Sequence, residues 1–125
     1  MNATARPPSA SSRPPLDTAA MRTATRRLLA EDAEPPSPQG LETLTLQLRG
    51  YMMLAIPVVE TAALTWPKND VPRACALACI GEARMRLRLE PKNASLPACI
   101  AHAQRLARAV NALCDHYQTV GGERR

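Results

Sequence analysis

Aromatic side chains are almost absent from this sequence. Phe does not occur, and the aromatic residues are Tyr51, Trp66 and Tyr117. A core must therefore be filled by Ala, Leu, Met and Val, although 46% of the residues are hydrophobic. Because Ala and Leu are strong helix formers and residues typical of strands are scarce, the composition favours helices.

Long apolar runs are also missing. No run reaches the roughly 18 residues that a membrane span needs. The first residues, "MNATARPPSASSRPP", lack the apolar segment of a secretory signal. We therefore expect a cytoplasmic protein, and in that compartment the four Cys should be reduced thiols.

Size and charge set further limits. A chain of 125 residues has room for one small domain, which excludes a two-domain enzyme. The net charge of +5 is compatible with an anionic partner. However, all the cations except Lys68 and Lys92 are Arg, a skew typical of GC-rich codon usage. The net positive charge is therefore a weak argument for nucleic-acid binding.

The chain begins with a predicted tail and a short helix. Residues 1–15 are rich in Pro, Ser and Ala, and we interpret them as a disordered tail. Asp17 can cap a helix through "TAAMRTATRRLLA", whose apolar residues Met21, Ala24 and Leu28 share one side. The Pro-rich "EDAEPPSPQG", residues 31–40, is predicted as a linker.

The clearest periodicity runs from Leu41 to Trp66. Apolar residues recur there every three or four positions, which predicts an amphipathic helix of about seven turns. They are Leu41, Leu44, Leu48, Tyr51, Ala55, Val58 or Val59, Ala62 and Trp66. Pro57 lies inside this helix and should kink it, because its ring removes one backbone hydrogen bond.

Two more helices follow. Asp70 can cap a third helix through "VPRACALACIGEARMRLRLE", with Pro72 tolerated in its first turn. Its predicted packing face carries small residues that allow close approach: Val71, Ala74, Ala78, Gly81 and Met85. The fourth helix should run from about Leu96 to Tyr117, ending before "TVGGERR".

These elements predict an all-α fold. We expect an antiparallel helical bundle of three long helices plus a shorter N-terminal helix. The single domain should span residues 16–120, with the linker inside it, and residues 121–125 should be a disordered C-terminus.

The run "LCDHY" places Cys114, Asp115 and His116 side by side, as a catalytic or metal site could require. On a helix, however, each residue turns about 100° from the last, so the three side chains diverge. Leu106, Val110, Leu113 and Tyr117 define the buried stripe of this helix. Cys114 falls just inside its edge and His116 at the opposite edge, while Asp115 should face water with Gln104, Arg108 and Asn111.

Other chemistry-bearing residues give no site either. Cys75 and Cys79 share a face and could approach Cys114, but they lack the paired spacing of structural zinc ligands. His102 and His116 are about four turns apart, too far to act as one acid and base pair. No nucleophile elbow or phosphate-binding loop occurs. We therefore predict no enzyme, no catalytic or metal-binding residue and no cofactor.

The third helix ends with a basic run of Arg84, Arg86 and Arg88. Cations there complement the helix dipole. Since alternate residues diverge, Arg84 and Arg88 share one side and Arg86 takes the other. Nucleic-acid binding would require a continuous basic face or stacking aromatics, so we do not expect it.

The second helix carries another apolar stripe opposite its main one: Leu46, Met53, Pro57 and Leu64. A helix that is apolar on two sides is usually sandwiched. We expect the first helix to cover this stripe. The alternative is an exposed partner surface of Leu46, Met53 and Leu64, for another protein or a second copy of the chain.

The segments "DVPRACALACIGEAR" and "HAQRLARAVNALCDHY", with "LRGYMMLAIPVVE", resemble a family of small proteins of unknown function from filamentous, antibiotic-producing bacteria. The resemblance covers roughly residues 41–117. Members are often labelled natural-product biosynthesis proteins, which implies a context in specialised metabolism. The resemblance implies no catalytic residue.

Our hypothesis is a non-enzymatic protein that binds another protein or itself, as an accessory or regulatory factor in natural-product biosynthesis. A second hypothesis is a small-molecule binder with an apolar pocket between the second and third helices, which Met52, Met53 and Met85 could line. A third is a basic helical module that contacts nucleic acid.

Overall fold

A computed structural model describes residues 16–121, and the tail predicted for residues 1–15 lies outside this range. So does most of the predicted C-terminal tail. Four α-helices make up the described chain: α1 (Thr18–Leu29), α2 (Pro38–Ala63), α3 (Val71–Arg88) and α4 (Leu96–His116). A π-helical turn, Tyr117–Gly121, follows directly. The predicted all-α bundle is confirmed.

Side-chain caps begin three of the helices. The Asp17 carboxylate accepts from the Ala20 amide at 3.0 Å, and the Ser37 hydroxyl accepts from Gly40 at 3.0 Å. The Ser95 hydroxyl accepts from Ala98 at 3.3 Å. The cap at Ser37 starts α2 at Pro38, inside the predicted linker. Asp70 is the N-cap residue of α3 as predicted, but its side chain makes no capping hydrogen bond.

The core lies between all four helices, and α1 contributes Met21, Ala24 and Leu28 to it. The main apolar side of α2 is buried as predicted at Leu41, Leu44, Leu48, Ala55 and Val59, and Met52 and Ile56 join it. The stripe of α4 is buried as predicted at Leu106, Val110, Leu113 and Tyr117. α2 continues through Pro57 and ends at Ala63. The expected kink at Pro57 stays a prediction.

α3 turns a different face to the core from the predicted one. Its buried residues are Ala76, Ile80 and Ala83, whereas the predicted face of Val71, Ala74, Ala78, Gly81 and Met85 is exposed. The physical reason is size: burying the larger Ile80, with Leu77 and Leu87 packed beside the core, removes more apolar surface from water than burying small residues.

α1 packs mainly on α4 rather than over the second stripe of α2. The Thr25 hydroxyl, which is buried, donates to the Asn111 side chain at 2.8 Å. Arg22 bonds Asp115 at 2.6 Å, and Gln104 donates to the Leu28 carbonyl at 3.4 Å. Of the α4 residues that the sequence assigned to water, Arg108 and Asp115 are exposed as predicted, whereas Gln104 and Asn111 are half-buried and bond to α1.

The π-helical turn carries the chain beyond the predicted end of α4. Val120 is buried in this turn, and its carbonyl accepts from the Trp66 indole at 2.9 Å. The bond ties the end of α4 to the segment that follows α2.

Candidate functional site

The apolar stripe on the outside of α2 is exposed. Leu46, Met53 and Leu64, the predicted partner surface, are 64%, 59% and 51% exposed, and Pro57 between them is exposed too. The expectation that α1 covers this stripe is wrong. α1 has its own polar and apolar partners on α4, which hold it away from the outside of α2. We call these four residues the α2 stripe.

A second exposed seam runs along α3. Val71, Ala74, Ala78, Gly81 and Met85 are spaced alternately by three and four residues, which puts them on one side of the helix. Val71 is 70% exposed. We call this set the α3 seam. Its pattern was recognised in the sequence, but the described chain packs no helix against it.

An ion pair joins α2 and α3, the two helices that carry these surfaces. Arg84 Nη2 donates to Glu60 Oε1 at 2.9 Å. Met53 is seven residues before Glu60, so the two side chains leave α2 in nearly the same direction. Gly81 is one turn before Arg84 on α3. The α2 stripe and the α3 seam thus lie on the two helices that this ion pair joins, and together we call them the α2–α3 face.

A cavity opens at the other end of α2 because the helices differ in length. α2 has 26 residues and α3 has 18, and the contact of Arg84 with Glu60 pairs α3 with the C-terminal half of α2. The N-terminal half of α2 therefore borders the α3–α4 loop and the first turns of α4. The space between them, the α2–α4 groove, measures about 670 Å³.

The α2–α4 groove has apolar walls and a few polar groups. Its lining includes Leu41, Thr45, Leu46 and Arg49 of α2, Glu90, Pro91 and Ala94 of the loop, and Leu96, Cys99 and His102 of α4. This groove is not the pocket predicted between the second and third helices, which stays a prediction, and none of Met52, Met53 and Met85 lines it. The feature of the sequence that points to this groove is the unequal length of the second and third helices.

His102 is the most unusual polar residue of this groove. It is 6% exposed, and neither ring nitrogen has a hydrogen-bond partner within residues 16–121. Burial lowers the pKa of His102, and the charges of Arg49 and Arg105 lower it further, against the opposing charge of Glu90. The ring is therefore neutral at pH 7, with one N–H donor and one acceptor nitrogen.

Cys114, Asp115 and His116 diverge as predicted. Cys114 is buried, Asp115 is exposed and bonds Arg22 on α1, and His116 is half-buried. Burial raises the pKa of the Cys114 thiol, with Arg22 opposing and Asp115 reinforcing this shift. A thiol that stays protonated is a weak nucleophile. The three side chains therefore do not converge on one point.

The remaining thiols are dispersed. All four Cys are free, with Cys75 exposed and Cys79 and Cys99 half-buried. Burial first, and then the charges of Glu82 and Asp115, raise the pKa of Cys79. Asp115 acts across the α3–α4 contact, as expected for antiparallel neighbours. Over the described range no three His, Cys, Asp or Glu side chains are grouped closely enough to hold a metal ion.

The basic run of α3 is divided between different neighbours. Arg84 pairs with Glu60, and Arg86 pairs with Glu82 at 3.3 Å. Arg88 is exposed and makes no ion pair with any residue that the structure describes. Two of the three charges are therefore balanced locally by carboxylates.

The chain belongs to a family of unknown function, DUF6415, whose model matches residues 19–122. No curated protein and no solved structure matches the chain. No helix among residues 16–121 is long and apolar enough to cross a membrane.

Proposed function

We propose that this member of the DUF6415 family acts by binding another protein rather than by catalysis, and that the α2–α3 face receives an amphipathic helix of that partner. One observation carries the proposal. Two exposed apolar surfaces, the α2 stripe and the α3 seam, lie on neighbouring helices that an ion pair joins. Contiguous exposed apolar surface of this kind marks interaction sites in proteins.

The spacing of the α3 seam supports a helix as the occupant. Alternating steps of three and four residues are the pattern of helix–helix packing. Small side chains would let a partner backbone come close, and an added Cβ at Gly81 meets no other atom within 4 Å. Met53 and Leu64 of the α2 stripe would then form the wall on the other side of the bound helix.

Charge adds a requirement on the partner. Arg88 lies one turn beyond Arg84 on α3, beside the α2–α3 face, and it makes no ion pair within the described part of the chain. A partner helix with an acidic residue at this end would complement it. Such rim charges mainly set the orientation and the rate of association.

The biological context of the proposal comes from the sequence. Its segments resemble small proteins of antibiotic-producing bacteria that are labelled as natural-product biosynthesis proteins. This resemblance supports an accessory or regulatory role in that metabolism, exerted in the cytoplasm.

Affinity purification from the native cell, with mass spectrometry, tests the proposal. We compare the wild-type chain with Met53→Lys on the α2–α3 face and with Thr23→Lys, an exposed control on α1. Because a lysine ammonium would be buried against the partner, we expect Met53→Lys to lose the bound protein by at least about tenfold. Thr23→Lys should retain it.

Circular dichroism establishes that both variants keep the helical fold, as expected for substitutions at exposed positions. Retention of every bound protein by folded Met53→Lys would overturn the proposal. So would a stable dimer formed through Met53, which would identify a second copy of the chain as the occupant.

A further inference from the structure

The imidazole of His102 is buried and lines the α2–α4 groove. It is 6% exposed, and within residues 16–121 neither nitrogen is hydrogen-bonded. Buried polar groups in folded proteins are nearly always hydrogen-bonded, so an exception calls for an explanation. A ligand in the groove would supply the missing partner.

The size of the α2–α4 groove matches a small organic molecule. Its volume of about 670 Å³ lies inside the usual range of small-molecule sites. Leu41, Leu46 and Leu96 contribute apolar walls, and His102 is a polar group set among them. Apolar walls with a few placed polar groups are typical of such sites.

The charges around the groove favour a neutral ligand. Arg49 lines it from α2, and Arg105 on α4 acts on His102 from nearby. Glu42 and Glu90 line it as well. The two cations and the two carboxylates offset one another, so the surroundings of the groove carry no net charge that would select an anion or a cation. Burial lowers the pKa of His102, which leaves a neutral ring that can both donate and accept.

We infer that the α2–α4 groove binds a neutral, mainly apolar small molecule whose hydroxyl group hydrogen-bonds to His102. A hydroxyl can donate to one ring nitrogen or accept from the other, whichever faces the groove. The site goes beyond the proposed binding of a protein helix, since the α2–α3 face and this groove share only Leu46.

Two probes of similar shape test the inference on the full-length protein. β-Naphthol carries a hydroxyl, and naphthalene has the same rings without it. Binding is followed by NMR chemical-shift changes of groove residues. We expect β-naphthol to bind saturably in the groove and about fivefold or more tightly than naphthalene, the worth of one hydrogen bond.

Four variants separate the contributions. His102→Phe should bring the affinity for β-naphthol down to that for naphthalene, and His102→Gln, which keeps a donor and an acceptor, should restore part of the difference. Thr45→Arg should block both probes. Met53→Lys, on the α2–α3 face outside the groove, should bind β-naphthol like the wild type, which keeps this test independent of the proposed protein partner.

Equal affinities of the wild type for the two probes would overturn the inference. The same holds if folded His102→Phe keeps the preference for β-naphthol, if the shift changes fall on the α2–α3 face, or if neither probe saturates the groove.

Discussion

Gly121 shows how one residue sets the end of an element. A Cβ added there would lie 2.8 Å from the Tyr117 ring and 3.4 Å from Ala62. The ring is buried against the core and has little room to move. Glycine therefore permits the π-helical turn to close on Tyr117. The paired Gly in the sequence indicated a stop, but the turn depends on this tertiary contact, which the local sequence does not encode.

We expect Gly121→Ala to destabilise the fold by about 1 to 3 kcal/mol, the usual cost of overpacking. Gly50 is the matched control, because an added Cβ there meets nothing within 4 Å. Gly50→Ala should stabilise α2 by roughly 0.5 to 1 kcal/mol through the unfolded chain. Urea unfolding measures both, and equal effects of the two substitutions would contradict this account.

His102 gives the fold a dependence on pH. Burial and the charges of Arg49 and Arg105 lower its pKa in the folded state, against the opposing charge of Glu90, whereas the unfolded chain has the ordinary value of about 6.5. The unfolded chain therefore takes up a proton first as the pH falls. The titration of His102 does not change the free energy of unfolding well above pH 6.5, and it lowers that free energy as the pH falls below 6.5.

We expect the free energy of unfolding of the wild type to decrease between pH 7.5 and pH 5.5 in urea titrations. His102→Gln should lose less over the same interval, because its side chain does not titrate. An identical pH dependence of the two proteins would show that His102 is not the group responsible.

At the scale of elements, the sequence predicted the four helices better than their contacts. Periodicity located α2 and α4 because each has one strong apolar stripe. The buried face of α3 was predicted wrongly. Ala and Cys are distributed around this helix, so two of its sides are weakly apolar and neither stands out in the sequence. The position of α1 depends on the bonds of Thr25 and Arg22 to α4, which no local pattern reveals.

Helix caps provide a test at this scale. The Ser37 hydroxyl caps α2, whereas Asp70 makes no capping bond at α3. We expect Ser37→Ala to cost about 0.5 to 2 kcal/mol of unfolding free energy. Asp70→Ala should cost clearly less. Thermal and urea unfolding measure the difference, and a larger loss for Asp70→Ala would refute the assignment.

At the scale of the whole molecule, unequal helix lengths and the position of α1 create the two candidate sites. The shorter α3 leaves the α2–α4 groove beside α2, and α1 on α4 leaves the α2–α3 face open. The sequence offered Leu46, Met53 and Leu64 as an exposed surface, and they are exposed; their contact with a partner stays a proposal. The sequence did not reveal the groove, because the groove depends on the register of α2 and α3, which the pairing of Glu60 with Arg84 defines.

Photo-crosslinking in the native cell tests the central claim most directly. A photoreactive residue is placed at position 53 on α2 or at position 78 on α3, with position 23 on α1 as the control. We predict that positions 53 and 78 capture the same amphipathic segment of one other protein, and that position 23 does not. Capture of unrelated segments, or of this chain alone, from positions 53 and 78 would contradict the account.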